Sequence, residues 1–306
     1  MSARHFLLLF AVCLTWGINF VVSKWALTGD PGWMPDFEGV PPFFFAFMRF
    51  ALLYAILAPW LRPIPRDWKT MGPIIGAGLC MGAVQFSLLF LGLQTASPSA
   101  IAIVVQLAVP FTTILSIVFL GERVRWVRGS GMLLAFIGAG MVVAKPAEFS
   151  FTLGLLFGVG AAFMAAAGSI FVKQAKLGVL SLQAWIGLIS WPPLLAATLI
   201  FETDQISAVL DGQWPFFWVL IFTVVAVNVF GHGAFYYLLK RYDASLIAPM
   251  TLMAPMIGVI SGVLILNDEV TWQLVVGGLI AFTGVGVVAA RRAKTVPPTI
   301  VIDRPR

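Results

Sequence analysis

Long apolar runs separated by short polar breaks dominate the chain. Ten can be marked, over residues 6–27, 42–61, 72–94, 99–120, 128–144, 153–172, 182–201, 214–238, 245–266 and 272–290. Inside each run the apolar positions are continuous rather than alternating. The pattern therefore predicts helices and excludes the period-two strands of a membrane barrel. Each run is close to the roughly 20 residues that a helix needs to cross the hydrocarbon of a bilayer. The connections are short. The longest, 28–41, is acidic and rich in Pro and Gly. The basic, Pro-containing stretch 292–306 reads as a disordered cytoplasmic tail. The first run lacks a small-residue cleavage signal, so it reads as a retained helix and not as a leader.

Composition narrows the class. Of the 306 residues, 60% are hydrophobic and only 10% charged, against about 25% charged in a soluble domain. The chain cannot coat a water-soluble surface, which excludes soluble enzymes and soluble binding modules. The net charge of +6 would suggest a nucleic-acid partner in a soluble protein; here it reads as a cytoplasmic excess of Lys and Arg. With the N-terminus inside, the inner segments hold 16 of the 19 basic residues, and the outer ones nine of the 13 acidic residues. Lys24 and Lys145 lie outside, and Arg49 lies within a span. Removing one span would invert every later loop and destroy this asymmetry, so the count of ten and cytoplasmic placement of both termini support each other. Cys13 and Cys80 fall in apolar runs without a ligand set and read as inert core thiols.

The chain also repeats itself. Trp126, Gly131, Leu133, Ala135, Phe136, Gly138, Gly140 and Val142 recur 146 positions later as Trp272, Gly277, Leu279, Ala281, Phe282, Gly284, Gly286 and Val288. The run before each copy holds a proline, Pro110 or Pro255. A unit of five spans is odd, so two consecutive copies must lie oppositely in the membrane. The expected fold is all-α and integral to the membrane: ten transmembrane helices as two inverted five-helix repeats, 1–147 and 148–291. Such repeats are common in secondary transporters, which place the substrate near the midplane between them.

Several short motifs follow in order. Trp16-Gly17-x-Asn19-Phe20 with Lys24 stands in span 1, and Phe47-Met48-Arg49-Phe50 in span 2. Leu93-Gln94-Thr95-Ala96-Ser97-Pro98-Ser99-Ala100 enters span 4, and Pro110 leads to Leu120-Gly121-Glu122-Arg123. In the second half, Phe235-Tyr236-Tyr237-Leu238, Asp243-Ala244-Ser245, Pro255 and Asp268-Glu269 repeat the theme. Together these residues resemble the drug/metabolite transporter superfamily, specifically its EamA branch of ten-span carriers, over nearly the whole chain. The resemblance implies export of small metabolites, often amino acids, across a bacterial inner membrane; one member type exports aromatic amino acids. The repeat is not perfect. Asn267 stands where the first copy has Gly, and the spacing from proline to glutamate differs by two between the halves.

Polar side chains are costly in hydrocarbon and usually face the interior of a bundle. Four stripes qualify on helical spacing. They are Trp16, Asn19, Phe20 and Ser23 in span 1; Gly78, Gly82 and Gln85 in span 3; Gln106 and Pro110 in span 4; and Asn228, His232, Phe235 and Tyr236 in span 8. Trp185 in span 7 faces either lipid or a cavity. Amides, an imidazole and aromatic faces would suit a small, partly apolar zwitterion, although buried amides also glue helices together. Candidate substrate-binding residues are thus Trp16, Asn19, Gln85, Gln106, Trp185, Asn228, His232, Phe235 and Tyr236, with Pro110 and Pro255 as hinge or cavity positions. Arg49, a cation well inside a span, either holds a substrate carboxylate or bonds neighbouring groups structurally. Its fixed place in the family motif, across diverse substrates, favours structure.

No span carries an acidic residue at its middle, so His232 is the one plausible proton carrier. There is no P-loop to couple ATP. The expected mechanism is facilitated diffusion by alternating access, with a proton-coupled antiporter of other metabolites or drugs as the alternative. A non-transporting membrane scaffold is a third reading. The chain lacks HExxH, GxSxG and paired intramembrane carboxylates, so an enzyme is not expected. Neither a metal nor a cofactor is indicated. The expected partners are a small-molecule substrate and membrane lipid, not nucleic acid, and nothing in the sequence points to an oligomeric state.

Overall fold

The computed structural model describes residues 2–29, 37–61, 67–120, 126–145, 150–151, 153–175, 177–241, 251 and 253–290. These residues are almost entirely helical. We number the continuous helical stretches α1 (Ala3–Thr28), α2 (Pro42–Trp60), α3 (Trp68–Thr95), α4 (Pro98–Val104, the 3-10 turn Val105–Leu107, and Ala108–Leu120), α5 (Trp126–Val143), α6 (Leu153–Gln174), α7 (Val179–Phe201), α8 (Gln205–Ile221, Phe222–His232 and Gly233–Arg241), α9 (Met253–Leu266) and α10 (Trp272–Ala290). Seven are long and apolar enough to cross a membrane: α1 to α4 and α6 to α8. The other three are shorter apolar helices. The one extended element is a two-residue antiparallel pair, Ala144–Lys145 with Ser150–Phe151, in the connection after α5. It adds a small β pairing that the all-helical reading lacked. The predicted junction at 147/148 and the tail 292–306 lie outside the described residues.

Local chemistry sets the helix ends. Ser2 caps α1 by accepting from the His5 N–H, and Ser97 caps α4 by accepting from the Ala100 N–H. Gly29 ends α1 with φ of 64°, a backbone region open to glycine. Asp67 caps α3, accepting from the Thr70 amide at 2.8 Å and the Thr70 hydroxyl at 3.0 Å. Those bonds hold its carboxyl below the usual carboxylate range. α2 has no side-chain cap of its own. Instead Glu202, at the end of α7, accepts from the amides of Phe43 at 2.7 Å and Phe44 at 2.9 Å. The carboxylate also complements the positive end of that helix. α8 is kinked near its start. Gln213 (φ 46°, ψ −148°) separates a short arm beginning at Gln205 from the long apolar helix, which starts at 214 as the sequence pattern expects.

The two halves meet through glycine. α5 packs along α10 so closely that a Cβ on Gly138 would overlap the backbone of Ala281, and one on Gly284 the backbone of Ala135. A Cβ on Gly131 would come within 2.9 Å of the Gly284 carbonyl oxygen, and one on Gly277 within 2.8 Å of the Gly138 carbonyl oxygen. Gly131 pairs with Gly284 and Gly138 with Gly277, so the helices run antiparallel. The contact is self-complementary, because Gly131 and Gly277 are repeat equivalents, as are Gly138 and Gly284. α2 and α7 behave in the same way. Phe43 meets Phe201 with ring centroids 6.1 Å apart, Phe47 meets Trp191 at 6.3 Å, and Gly187 abuts Tyr54. Equivalent helices that pack antiparallel across a shared axis are what inverted copies require.

Small residues let helix backbones approach within a membrane, where burial of apolar surface drives little. We therefore expect Gly138→Ala and Gly284→Ala each to cost about 1–3 kcal/mol by forcing backbones apart, and by similar amounts because the contact is symmetric. Gly140, whose Cβ would meet nothing within 4 Å, should accept Ala at no loss. Thermal unfolding of the purified variants in detergent measures all three; equal tolerance at Gly138 and Gly140 would contradict the packing.

Candidate functional site

Both long interior irregularities of the backbone lie beside one cavity. α3 opens into a π-helical segment at Gly78–Val84, and α8 into one at Phe222–His232. Shifted by the repeat of 146 positions, Gly78–Val84 falls on residues 224–230, inside the second segment. Each repeat thus carries a π segment at the same place. Such segments are rare and concentrate at functional sites. Gln85 follows the first and His232 ends the second, and both line the cavity. A third irregularity has a cause in the sequence. Pro110 lacks an N–H, so the carbonyl of Gln106 four residues earlier loses its helical partner. The 3-10 turn Val105–Leu107 sits there and turns Gln106 into the wall.

The cavity measures about 230 Å³, room for roughly eight waters at ~30 Å³ each in the liquid. α1 contributes Trp16, Asn19 and Phe20; α3 contributes Gln85, Phe86 and Leu89; α4 contributes Gln106. From the second half come Val227 and His232 of α8, then Thr251, Ala254 and Pro255. Aromatic faces and amides alternate round the wall. The Trp16 indole meets the His232 ring in a tilted arrangement with centroids 5.1 Å apart, and meets Phe235 edge-on at 5.3 Å. Gly231 permits this, since a Cβ there would lie 2.6 Å from Trp16 Nε1. The His232 imidazole donates from Nδ1 to the Val227 carbonyl at 3.1 Å; a carbonyl only accepts, so Nδ1 is the protonated nitrogen in this geometry. Trp16 Nε1 and Gln85 Oε1 are buried without a hydrogen-bond partner among the described residues.

Arg49 of α2 stands at the centre. Among the described residues it is the largest fully buried side chain, at 0% exposure. Its guanidinium donates to Asn228 Oδ1 at 2.7 Å and to Asn19 Oδ1 at 3.4 Å, and lies 4.4 Å above the Phe86 ring. Ser23 donates to the same Asn19 oxygen at 3.5 Å. One cation thereby ties α1 and α2 of the first half to α8 of the second. It forms part of the cavity wall, yet its partners cover it from direct access.

The structure brings together most of the residues that sequence patterns nominate. Trp16, Asn19, Gln85, Gln106 and His232 line the cavity; Pro255 does so as well. Asn228 stands behind the wall on Arg49, and Phe235 backs Trp16. Two expectations change. Trp185 is buried at 8% exposure in α7 but does not line the cavity, because its helix is held against α2 and the π segment of α3. Pro110 shapes the wall one turn away without lining it. Pro255 meets its expectation as a cavity position, lining the wall from the first turn of the described α9. The Tyr236 side chain, Pro249 and Glu122 lie outside the described residues. Phe86 and Thr251 line the cavity without having been nominated. Phe86 follows Gln85, and an α-helical wheel turns it away from the polar stripe. The preceding π segment spoils that wheel: Gly78 and Gly82 pack on Ile189 and Ser190 of α7 while Gln85 reaches the cavity.

The opposite side of this layer is closed by polar contacts. Lys24 donates to the Gln94 carbonyl at 3.0 Å. Asp268 accepts from the amide of Ser99 at 3.0 Å, and the Ser99 hydroxyl donates to the Val259 carbonyl at 3.1 Å. With Glu202 on α2, these groups seal the end of the bundle where α1 finishes.

Comparison with known proteins bears on what such a cavity is for. The EamA-like transporter family matches residues 4–144 and, a second time, 152–290. A protein of Escherichia coli (strain K12) named "Probable amino-acid metabolite efflux pump" is 28% identical over 294 residues, covering 93% of this chain and 94% of that one. A protein of the same name from Salmonella typhimurium matches equally well in identity and coverage. An "Uncharacterized transporter" of Archaeoglobus fulgidus is 25% identical over 284 residues, covering 90% and 95%. One solved crystal structure superposes with a TM-score of 0.59 at 19% identity, over 94% of this chain and 96% of that one, which speaks to the fold alone.

Two bond lengths rank the amides that hold Arg49. A hydrogen bond to a charged group contributes about 1.5–3 kcal/mol. Asn228→Ala should lose that amount and Asn19→Ala clearly less, since its bond is long. Melting temperatures of the two variants in detergent test the order, and a larger loss at Asn19 would reverse the assignment.

Proposed function

Because the chain belongs to the EamA-like transporter family, we propose that this membrane transporter moves small metabolites, amino acids foremost, through its central cavity by alternating access. The observation that carries the reading is the cavity itself. It has the volume of one small solute, lies where both repeats meet, and is walled by aromatic rings and amides. Aromatic faces suit a large neutral or aromatic side chain and contact an ammonium by cation–π attraction. Amides such as those of Gln85 and Gln106 hydrogen-bond a solute's polar end. Relatives named for amino-acid metabolite efflux support the same class.

We read the chain as ten spans in two inverted halves, 1–147 and 148–291. The excess of basic residues in alternate loops puts both termini on the cytoplasmic side of a bacterial inner membrane. On that orientation, the end closed by Lys24, Ser99, Glu202 and Asp268 faces outward. The substrate-contacting set is Trp16, Asn19, Gln85, Gln106 and His232, with Phe235 and Asn228 supporting them from behind. Movement down the solute's own gradient is the favoured mechanism. The place of His232 in the cavity wall favours a second reading, proton antiport, because an imidazole there is positioned to exchange a proton between solute cycles.

Counterflow into liposomes tests both. Purified protein is reconstituted with unlabelled aromatic or large neutral amino acids inside and traces of labelled solute outside. Facilitated diffusion predicts counterflow that is indifferent to an imposed pH gradient and largely kept in His232→Gln. Strict dependence on the gradient, lost in that variant, would establish antiport instead. No counterflow across an amino-acid panel would remove the substrate class.

A further inference from the structure

Arg49 is a full positive charge in the interior of the bundle, and among the described residues each of its partners is neutral. The guanidinium donates to two amide oxygens and covers a phenyl ring, and its Nε has no partner among the described residues. Its side chain has no exposed surface, and it borders the cavity. A charge in such surroundings is costly until a counter-charge arrives. The described residues that form the cavity wall around it are otherwise uncharged or imidazole. The field of Arg49 therefore reaches the cavity with little attenuation.

We propose that the solute supplies this counter-charge: a carboxylate is required for binding, and an ammonium is dispensable. The proposal rests on the reading of the cavity as the solute site. It does not require the carboxylate to touch Arg49, which Asn19, Asn228 and Phe86 cover in this conformation. It concerns the sign of the field. A solute with a carboxylate and an apolar body is favoured by the guanidinium and by the Trp16, Phe20 and Phe86 faces together. A solute carrying only an ammonium gains the aromatic contact but approaches a like charge. A zwitterion stands between them. The cavity is thus selective for carboxylates, of which amino acids are one kind, and acids without an amino group belong to the same class.

Asn228 provides the matching variant. Its Oδ1 accepts from Arg49, while its Nδ2 has no hydrogen-bond partner among the described residues. Asn228→Asp consequently keeps the bond, loses none, and places a permanent carboxylate on the guanidinium. The variant should fold and melt no lower than the parent. Its cavity should lose the preference for anions.

The experiment is equilibrium binding by calorimetry to the purified full chain with three solutes of one shape: phenylalanine, 3-phenylpropionate and phenethylamine. The parent should bind 3-phenylpropionate at least as well as phenylalanine, and phenethylamine at least about tenfold more weakly. Asn228→Asp should weaken 3-phenylpropionate at least about tenfold and close or invert the gap to the amine. Phenethylamine binding the parent as tightly as the acid would overturn the proposal while leaving the cavity a solute site. So would an Asn228→Asp variant with an unchanged order of preference. Failure of all three solutes to bind would overturn the reading of the cavity as well.

Discussion

A cation with neutral partners at the centre of an apolar bundle is the constraint on which the rest of this structure depends. Burying a guanidinium is expensive, and the expense is met only where donors find acceptors. Asn19 and Asn228 are those acceptors, and they come from helices in different halves of the chain. α1, α2 and α8 must therefore converge at one depth and with one rotation. Phe86 closes the remaining face at 4.4 Å, which brings α3 to the same point. The cavity is the space left over when four helices have been pinned to one side chain, and its wall is inherited from their polar and aromatic faces. The short bond to Asn228, about 1.5–3 kcal/mol, with the longer and weaker one to Asn19, outweighs any single apolar contact in setting that convergence, because lipid offers apolar side chains nearly as good an environment as protein does.

Irregular backbone surrounds this node in a symmetric way. An ideal helix satisfies all its interior carbonyls and points side chains out at 100° intervals, which leaves no means of placing an amide against the geometric trend. Widening to a π turn at Gly78–Val84 and at Phe222–His232 re-aims the side chains that follow. The wider turns also loosen carbonyls, and the Val227 carbonyl accepts from His232. Non-helical backbone is tolerated at membrane depth where it lines a cavity. Its presence at repeat-equivalent positions means that the distortion was present in the ancestral unit or is demanded by the same packing in both. Gly78 and Gly82 give the packing reason in the first half, since α7 lies against them with no room for a Cβ.

Sequence patterns made the scaffold legible and the site partly so. The eight matched positions of the two copies include the four glycines that weld α5 to α10, and their symmetric contact follows from the inverted reading alone. Trp16 and Asn19 were found because α1 is a regular helix throughout its wall-facing part, so spacing of three and four is a sound guide there. The same rule fails beyond a π turn. It kept Gln85 on the glycine face and left Phe86 unnoticed, and it grouped Asn228 with His232 although one serves Arg49 and the other the cavity. Long-range partners were out of reach for a different reason. Nothing near Arg49 in the chain announces Asn228, 179 residues away, and nothing near Pro42 announces that Glu202 will cap it. Trp185 was nominated on chemistry without a face to support it, and its helix turns it elsewhere.

The glycine seam along α5 and α10 and the polar contacts at the end where α1 finishes are held by forces of different kinds. Glycine contacts such as those of α5 with α10 depend on atoms in direct van der Waals touch, and a gap of 0.5–1 Å already forfeits a quarter to a half of that attraction. They behave as rigid seams. The seal formed by Lys24, Ser99, Glu202 and Asp268 consists instead of hydrogen bonds between charged groups and backbone. Water can replace each of those partners at a net cost of about 1.5–3 kcal/mol. A few such bonds are within reach of the free energy a bound solute supplies, since micromolar affinity corresponds to about 8 kcal/mol. Repacking a seam has no such solvent substitute. On the proposed alternating-access reading, opening the polar end while keeping the glycine seams intact asks least of the solute. The Arg49 node joins both halves through Asn19 and Asn228.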